Sequence, residues 1–222
     1  MVALNAELNG LSRYPIWKGL QGYAPRATVA TGYAALDQLL PGGGWPLGSL
    51  IEIISQRYGV GELSLFVPAL RRLSDARQGL IVWIAPRFIP YAPALQSHGL
   101  HLNRLLIVKT RDGNECLWAA EQALRSACCV ALLAWPEAVS IKSARRLQLA
   151  AEEHQCLAVL FRSDLALYQE SSAALRLQLV HERASERAID RVRIIKCRGA
   201  CPGSVELGLA DLDAPVHAGG AA

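Results

Sequence analysis

The stretch LIEIISQRYGVGELSLFVPAL (50–70) decides the fold. LIEII (50–54) is an apolar, β-branched run, and SQRYGVG (55–61) is a polar loop with two glycines. From about Glu62 to Arg77, Leu63, Phe66, Leu70 and Leu73 recur on one helical face. Strand, glycine-containing loop and helix form the unit of doubly wound α/β sheets, and the loop is where such sheets receive phosphate.

The same alternation runs outward on the C-terminal side. LIVWIA (80–85), LLIVK (105–109), VALLAW (130–135) and CLAVLF (156–161) are nearly continuous apolar strands. Between them, Pro93 suits a first helical turn and Gly99 a helix end, and Glu115 to Ser126 reads as a helix. Ser140 to His154 is amphipathic, with Ile141, Ala144, Leu147 and Ala151 inward. Continuous apolar strands separated by helices predict a mainly parallel sheet covered on both faces. After Ser172, ALRLQLV (174–180), RVRIIKC (191–197) and SVELGL (204–209) alternate instead, which predicts an antiparallel extension of that sheet.

On the N-terminal side, Thr31-Gly32 is placed to cap a short helix carrying Leu36, Leu39 and Leu40, which Pro41-Gly42-Gly43-Gly44 ends. Residues 1–27 read as a separate lead-in segment, 28–212 as the core, and 213–222 as a disordered tail. No internal repeat is visible.

Composition agrees with this organisation. Of 222 residues 52% are hydrophobic and 19% charged, which excludes disordered, collagen-like and low-complexity classes. The net charge of +4 is mild and permits a polyanionic partner without demanding one. No apolar run approaches the roughly 18 residues of a membrane span, and the N-terminus lacks a basic region followed by an apolar stretch. The six cysteines, several inside apolar runs, read as reduced thiols, so the expectation is a soluble cytoplasmic protein.

The phosphate-loop position lacks phosphate-loop chemistry. G-x-x-x-x-G-K-[ST] uses glycines for close backbone approach, a Lys for the β/γ-phosphates and a hydroxyl for Mg²⁺. With Gly61 as the second glycine, Gln56 stands at the first, Glu62 at the Lys and Leu63 at the hydroxyl. At ~4 Å and an effective dielectric of about 20, that charge reversal costs several kcal/mol per phosphate charge. Sliding the register by one puts Gly61 at the Lys position and helps nothing.

TGYAALDQLLPGGGWPLGSLIEI (31–53) resembles the entry to the RecA ATPase core. The chain resembles the ImuA family more closely still, the RecA-like proteins of bacterial SOS mutagenesis cassettes. LLPGGGWPLGSL (39–50), GVGELSL (59–65), IAPRFIPYAPAL (84–95) and ECLWAAEQALRS (115–126) carry the likeness, which spans roughly 16–209. The resemblance implies a RecA-like fold and a bacterial, cytoplasmic role in translesion synthesis. Its implied partners are a polymerase-like ImuB of the Y family, an error-prone DnaE-type polymerase and RecA itself. RecA-type ATPases also carry a catalytic Glu after the second core strand, here at about Pro86. Their Walker B acid would end VALLAW, which runs instead into Trp135-Pro136. With four catalytic groups absent, the expectation is a degenerate ATPase without nucleotide cofactor, kept as a scaffold.

Two rival readings follow from the same resemblance. SulA-like inhibitors of cell division, which bind FtsZ, are similar over about 59–161 but lack the GGGWP entry and the C-terminal strands. A nucleotide- or DNA-binding RecA paralogue is the other.

The remaining candidates are contact residues. Gly59 and Gly61 are turn glycines, and Glu62 either caps the following helix or receives a partner's basic group. Lys142, Arg145 and Arg146 form one basic set; Arg191, Arg193, Lys196 and Arg198 form another, with Arg191 and Arg193 on one strand face. Each is a candidate partner or DNA contact, set against a merely solvated face. The loops at 136–140 and 163–172 are short and nearly uncharged, against RecA-style filament binding. Tyr14 and Trp17 mark the lead-in as an interface, homo-oligomeric or with a partner, or as a segment folded back on its own domain. Cys197 and Cys201 have no second ligand pair, and the five histidines are scattered, so no metal is expected.

Overall fold

The computed structural model describes residues 27–59, 61–180, 191–199 and 203–206. Tyr14, Trp17, Cys201 and the tail at 213–222 lie outside the described residues.

A two-stranded antiparallel ribbon, β1 (Thr28–Val29) with β2 (Trp45–Pro46), opens the described chain. Between them sits α1 (Ala34–Leu39), whose N-cap is Tyr33 and not Thr31. Thr31 serves one turn earlier: its hydroxyl accepts the Tyr33 N–H at 3.0 Å, and its own N–H donates to Asp37 Oδ1 at 2.8 Å. The Thr-Gly-x-x-x-Leu-Asp spacing is thus a clasp that closes the helix entry. The GGGWP turn has its own reason. A Cβ on Gly44 would lie 2.3 Å from the Val29 carbonyl oxygen, so only glycine permits β1 and β2 to meet.

The main sheet holds β3 (Ser49–Ser55), β4 (Leu80–Ile84), β5 (Leu105–Val108), β6 (Cys129–Ala134), β7 (Leu157–Ser163), β8 (Leu175–Val180), β9 (Arg191–Cys197) and β10 (Gly203–Glu206). Their order is β10-β9-β8-β3-β7-β6-β4-β5. β3 to β8 run parallel; β9 is antiparallel to β8 and β10 to β9. The expected antiparallel extension is therefore only partly right, because β8 pairs parallel with β3 in the register Ile51 to Leu175. Its alternation reports burial and not direction. Leu175, Leu177 and Leu179 enter one core, while Arg176 and Gln178 face the other way.

α2 (Val67–Ala76) and α3 (Ala92–Ser97) cover one face with α1; α4 (Gly113–Arg125) and α5 (Ile141–Glu153) cover the other. Leu36, Leu70 and Leu95 pack with Ile51, Ile53 and Trp83 in the first core. Cys116, Leu124, Ala144 and Leu147 pack with Leu50, Val82 and Leu160 in the second. α4 and α5 begin at side-chain caps, Asp112 accepting the Glu115 N–H and Ser140 the Ser143 N–H. Ile141, expected inward, is exposed: the buried face of α5 runs through Ala144, Leu147, Gln148 and Ala151, and Ile141 stands to one side of it, as Leu149 does. None of the helices among the described residues is long and apolar enough to cross a membrane.

Candidate functional site

β3 delivers the chain to the loop at the carboxyl end of the parallel strands. Ser55 ends the strand in a tight turn, its hydroxyl donating to the Arg57 carbonyl at 2.7 Å and accepting the Arg57 N–H at 3.3 Å. Gly59 and Gly61 follow with φ of +77° and +95°, so both glycines are conformationally required, as expected of turn positions. At Gly59 an added Cβ would also lie 2.8 Å from the Phe88 ring, which packs against the loop.

Glu62 is buried, and its Oε1 accepts the Gly59 N–H at 2.8 Å. The expected helix-capping role is corrected here. Residues 62–66 are turns, and α2 begins only at Val67, where Pro68 suits the first turn. Glu62 caps the loop and not the helix. Its carboxylate occupies, from within the chain, the place an anion would take against that amide. The turn uses its own amides as well: Ser64 N–H donates to Gly61 O, and Phe66 and Val67 N–H to Leu63 O. Leu63, at the hydroxyl position, packs against the core.

The turn also carries Phe66 into an aromatic column. Trp45 stacks on Phe66 with centroids 4.7 Å apart, Phe66 meets Phe161 edge-on at 5.8 Å, and Phe161 stacks on Trp135 at 4.6 Å. Trp135 in turn meets Trp83 edge-on at 6.3 Å. Where the strand VALLAW would end in a metal-binding acid, Trp135 is buried in this column instead, its backbone N–H donating to the Ile84 carbonyl at 3.1 Å. After β4, Ala85 adopts φ +51° and leads to Pro86, so no carboxylate stands there either. A groove of about 770 Å³ opens beside the loop, walled by Phe88, Ile107, Lys109, Cys116, Trp135 and Glu137. Burial pushes the Cys116 thiol up to about 11, which keeps it protonated at neutral pH. At the loop's edge Arg87 lies over the Tyr58 ring, 5.1 Å from its centroid, and burial raises the Tyr58 hydroxyl despite that cation.

The two basic sets remain apart, on α5 over β3 and β7 and on β9 two strands beyond β3. Lys142, Arg145 and Arg146 are exposed, and Arg146 ion-pairs with the buried carboxylate of Glu121. That contact and Arg125 hold Glu121 below its ordinary carboxylate range. Arg193 and Arg198 are exposed, whereas Arg191 is half-buried. Lys196 turns inward and donates to Ser171 O at 2.7 Å, and its burial lowers its pKa. It acts as a structural tie. Among the described residues no cluster of three or more His, Cys, Asp or Glu could hold a metal.

One site escaped the sequence reading. Glu52, fully buried on β3, accepts Arg162 Nη1 at 3.3 Å, Arg176 Nε at 2.8 Å and Ser171 Oγ at 2.8 Å. Arg162 also donates to Gln169 Oε1 at 2.7 Å, and Arg176 to the Ala166 carbonyl. The segment 164–173 is thereby fastened over β3 and β8. The signal was present: single charges inside LIEII, LFRS and LRLQ stand on strands too buried to leave a charge unpaired.

No protein-family model matches the chain. It is 34% identical over 133 residues to Protein ImuA of Caulobacter vibrioides in each of two strains, an alignment covering 58% of this chain and 54% of that protein. The chain thus spans about half the length of the curated relatives it matches. The α/β fold and the altered loop belong to a chain that is similar to Protein ImuA over that stretch.

Proposed function

We propose that the chain is a non-catalytic, RecA-like adaptor of SOS-induced, error-prone translesion synthesis. It works with a polymerase-like ImuB protein and an error-prone DnaE-type polymerase, with RecA as a further partner. In this reading residues 28–212 are the scaffold, and the lead-in with Tyr14 and Trp17 is an interface. The observation that carries the reading is Glu62 bonded to the Gly59 amide, where a phosphate-binding loop would keep that amide for its ligand. The similarity to Protein ImuA supports the setting in DNA-damage mutagenesis. Phosphoryl transfer depends on positioning and charge stabilisation, and the groups that supply them are replaced by Glu62, Leu63, Pro86 and Trp135.

Co-purification with an ImuB homologue, together with calorimetry against Mg²⁺-ATP, tests the proposal. Stable co-elution with no heat at millimolar nucleotide is the expected result. A chain that ignores ImuB, or that hydrolyses ATP, ends the adaptor reading.

A further inference from the structure

Two exposed patches of opposite charge leave the same end of the sheet. The first is on α5, where Ile141, Arg145 and Leu149 follow at intervals of four and so form one stripe, with Lys142 beside it. Ile141 and Leu149 are 54% and 55% exposed. Lys142 and Arg145 make no ion pair among the described residues, whereas Arg146 is committed to Glu121.

The second patch is the 3₁₀ turn Asp164–Tyr168. Residues three apart eclipse in such a turn, so Leu165 and Tyr168 project together; they are 68% and 89% exposed. Asp164 and Glu170 flank them and make no ion pair among the described residues. The turn is rigid, because Arg176 holds the Ala166 carbonyl and Arg162 holds Gln169.

β6 and β7 are parallel neighbours, and α5 and the turn follow their carboxyl ends. The knob and the Ile141–Lys142 start of the stripe therefore lie at the carboxyl end of the sheet, from which α5 carries Arg145 and Leu149 back along the same face. We infer that the chain forms a two-fold dimer in which the acidic Leu165–Tyr168 knob of each copy seats on the basic Ile141–Leu149 stripe of the other. Two positive groups meet two negative ones, apolar side chains meet apolar side chains, and a two-fold axis makes both contacts at once. The fixed turn loses little conformational freedom on docking. A nucleic acid is a poorer occupant, since Asp164 and Glu170 at the same end repel phosphate. The inference stands apart from the adaptor reading.

Sedimentation velocity of the full chain tests it, with circular dichroism confirming that each variant is folded. The wild type is expected to dimerise at tens of micromolar or below. The variants Lys142→Glu/Arg145→Glu and Asp164→Lys/Glu170→Lys should each weaken the dimer by about tenfold or more. An equimolar mixture of the two should recover it, because each supplies the charge the other lacks. A wild type that stays monomeric overturns the inference. So do a dimer indifferent to both reversals, assemblies that grow beyond two, and a mixture that fails to re-form. A failure here leaves co-purification with ImuB untouched, and the reverse holds.

Discussion

Arg176 Nε donates to Glu52 Oε2 at 2.8 Å, and the two residues stand directly opposite each other in the parallel pairing of β3 with β8. Arg162, from the strand on the other side of β3, takes the second carboxylate oxygen. Breaking such a buried cluster from one side costs more than removing all of it. Glu52→Gln should lower stability by ~3–5 kcal/mol, because two buried guanidinium groups lose their anion. Replacing Glu52, Arg162 and Arg176 together by Met should recover most of that loss. Urea denaturation of the two variants decides; equal losses would mean that the cluster is not acting as a unit.

The loop makes a second prediction. Glu62→Ala removes the acceptor of the Gly59 amide and should destabilise the protein by about 1–3 kcal/mol. Glu62→Lys with Leu63→Thr restores the Lys and the hydroxyl without restoring their setting, since Gln56 still stands at the first glycine, α2 still starts at Val67 and Trp135 still ends the strand VALLAW. Calorimetry with Mg²⁺-ATP should detect no binding at millimolar concentration. Turnover by this variant would show that the scaffold retains its catalytic geometry.

Glu121 gives a pH dependence. Its folded pKa is depressed, chiefly by the hydrogen bond from Arg146, so it binds protons less readily when folded than when unfolded. Its contribution is present above the unfolded carboxylate value and lost as pH falls through the folded one. The melting temperature of Arg146→Met should lie below that of the wild type at pH 7, and the gap should narrow below about pH 4. A gap independent of pH would assign the effect to packing alone.

The thiols differ in reactivity. Burial pushes Cys116 and Cys197 up to about 11, the hydrogen bond with the Cys129 thiol and then burial raise Cys156 well above its ordinary value, and Cys128 is exposed. Among the described cysteines, Cys128 should react first with Ellman's reagent at neutral pH, and Cys128→Ser should abolish that phase. A rapid phase that survives the substitution and maps to Cys116 or Cys197 would contradict their burial.

Most of the α/β architecture could be read from period alone, because strands buried on both faces are continuous apolar runs and helices show one apolar stripe. The direction of β8 could not. A strand with one core face alternates whichever way it runs, and only the 164–174 crossover, with Ala174 N–H donating to Leu50 O at 3.0 Å, sets it parallel. The start of α2 was also illegible, since Glu62, Leu63 and Phe66 have helical spacing but sit in turns tied to Gly61 and Leu63. At the loop, the substitution of Glu for Lys was plain in the sequence. That the carboxylate folds back onto Gly59 depends on burial that no local pattern encodes. Lys196 had the pattern of a surface cation, and its inward turn follows from the Ser171 carbonyl, 25 residues away in the chain.

The central anion also ties together distant parts of the chain. Glu52 lies 110 residues before Arg162, 119 before Ser171 and 124 before Arg176. While β3 to β6 are being made, no cation that will neutralise it yet exists, and a buried charge without a partner is too costly to hold. Among the described residues β3 has no neighbours in the sheet but β7 and β8, so Glu52 meets its strand partners and its cations together. Burial of this anion is thus tied to the last two parallel strands of the sheet, β7 and β8. Pairings this distant in the chain are intrinsically slow to form.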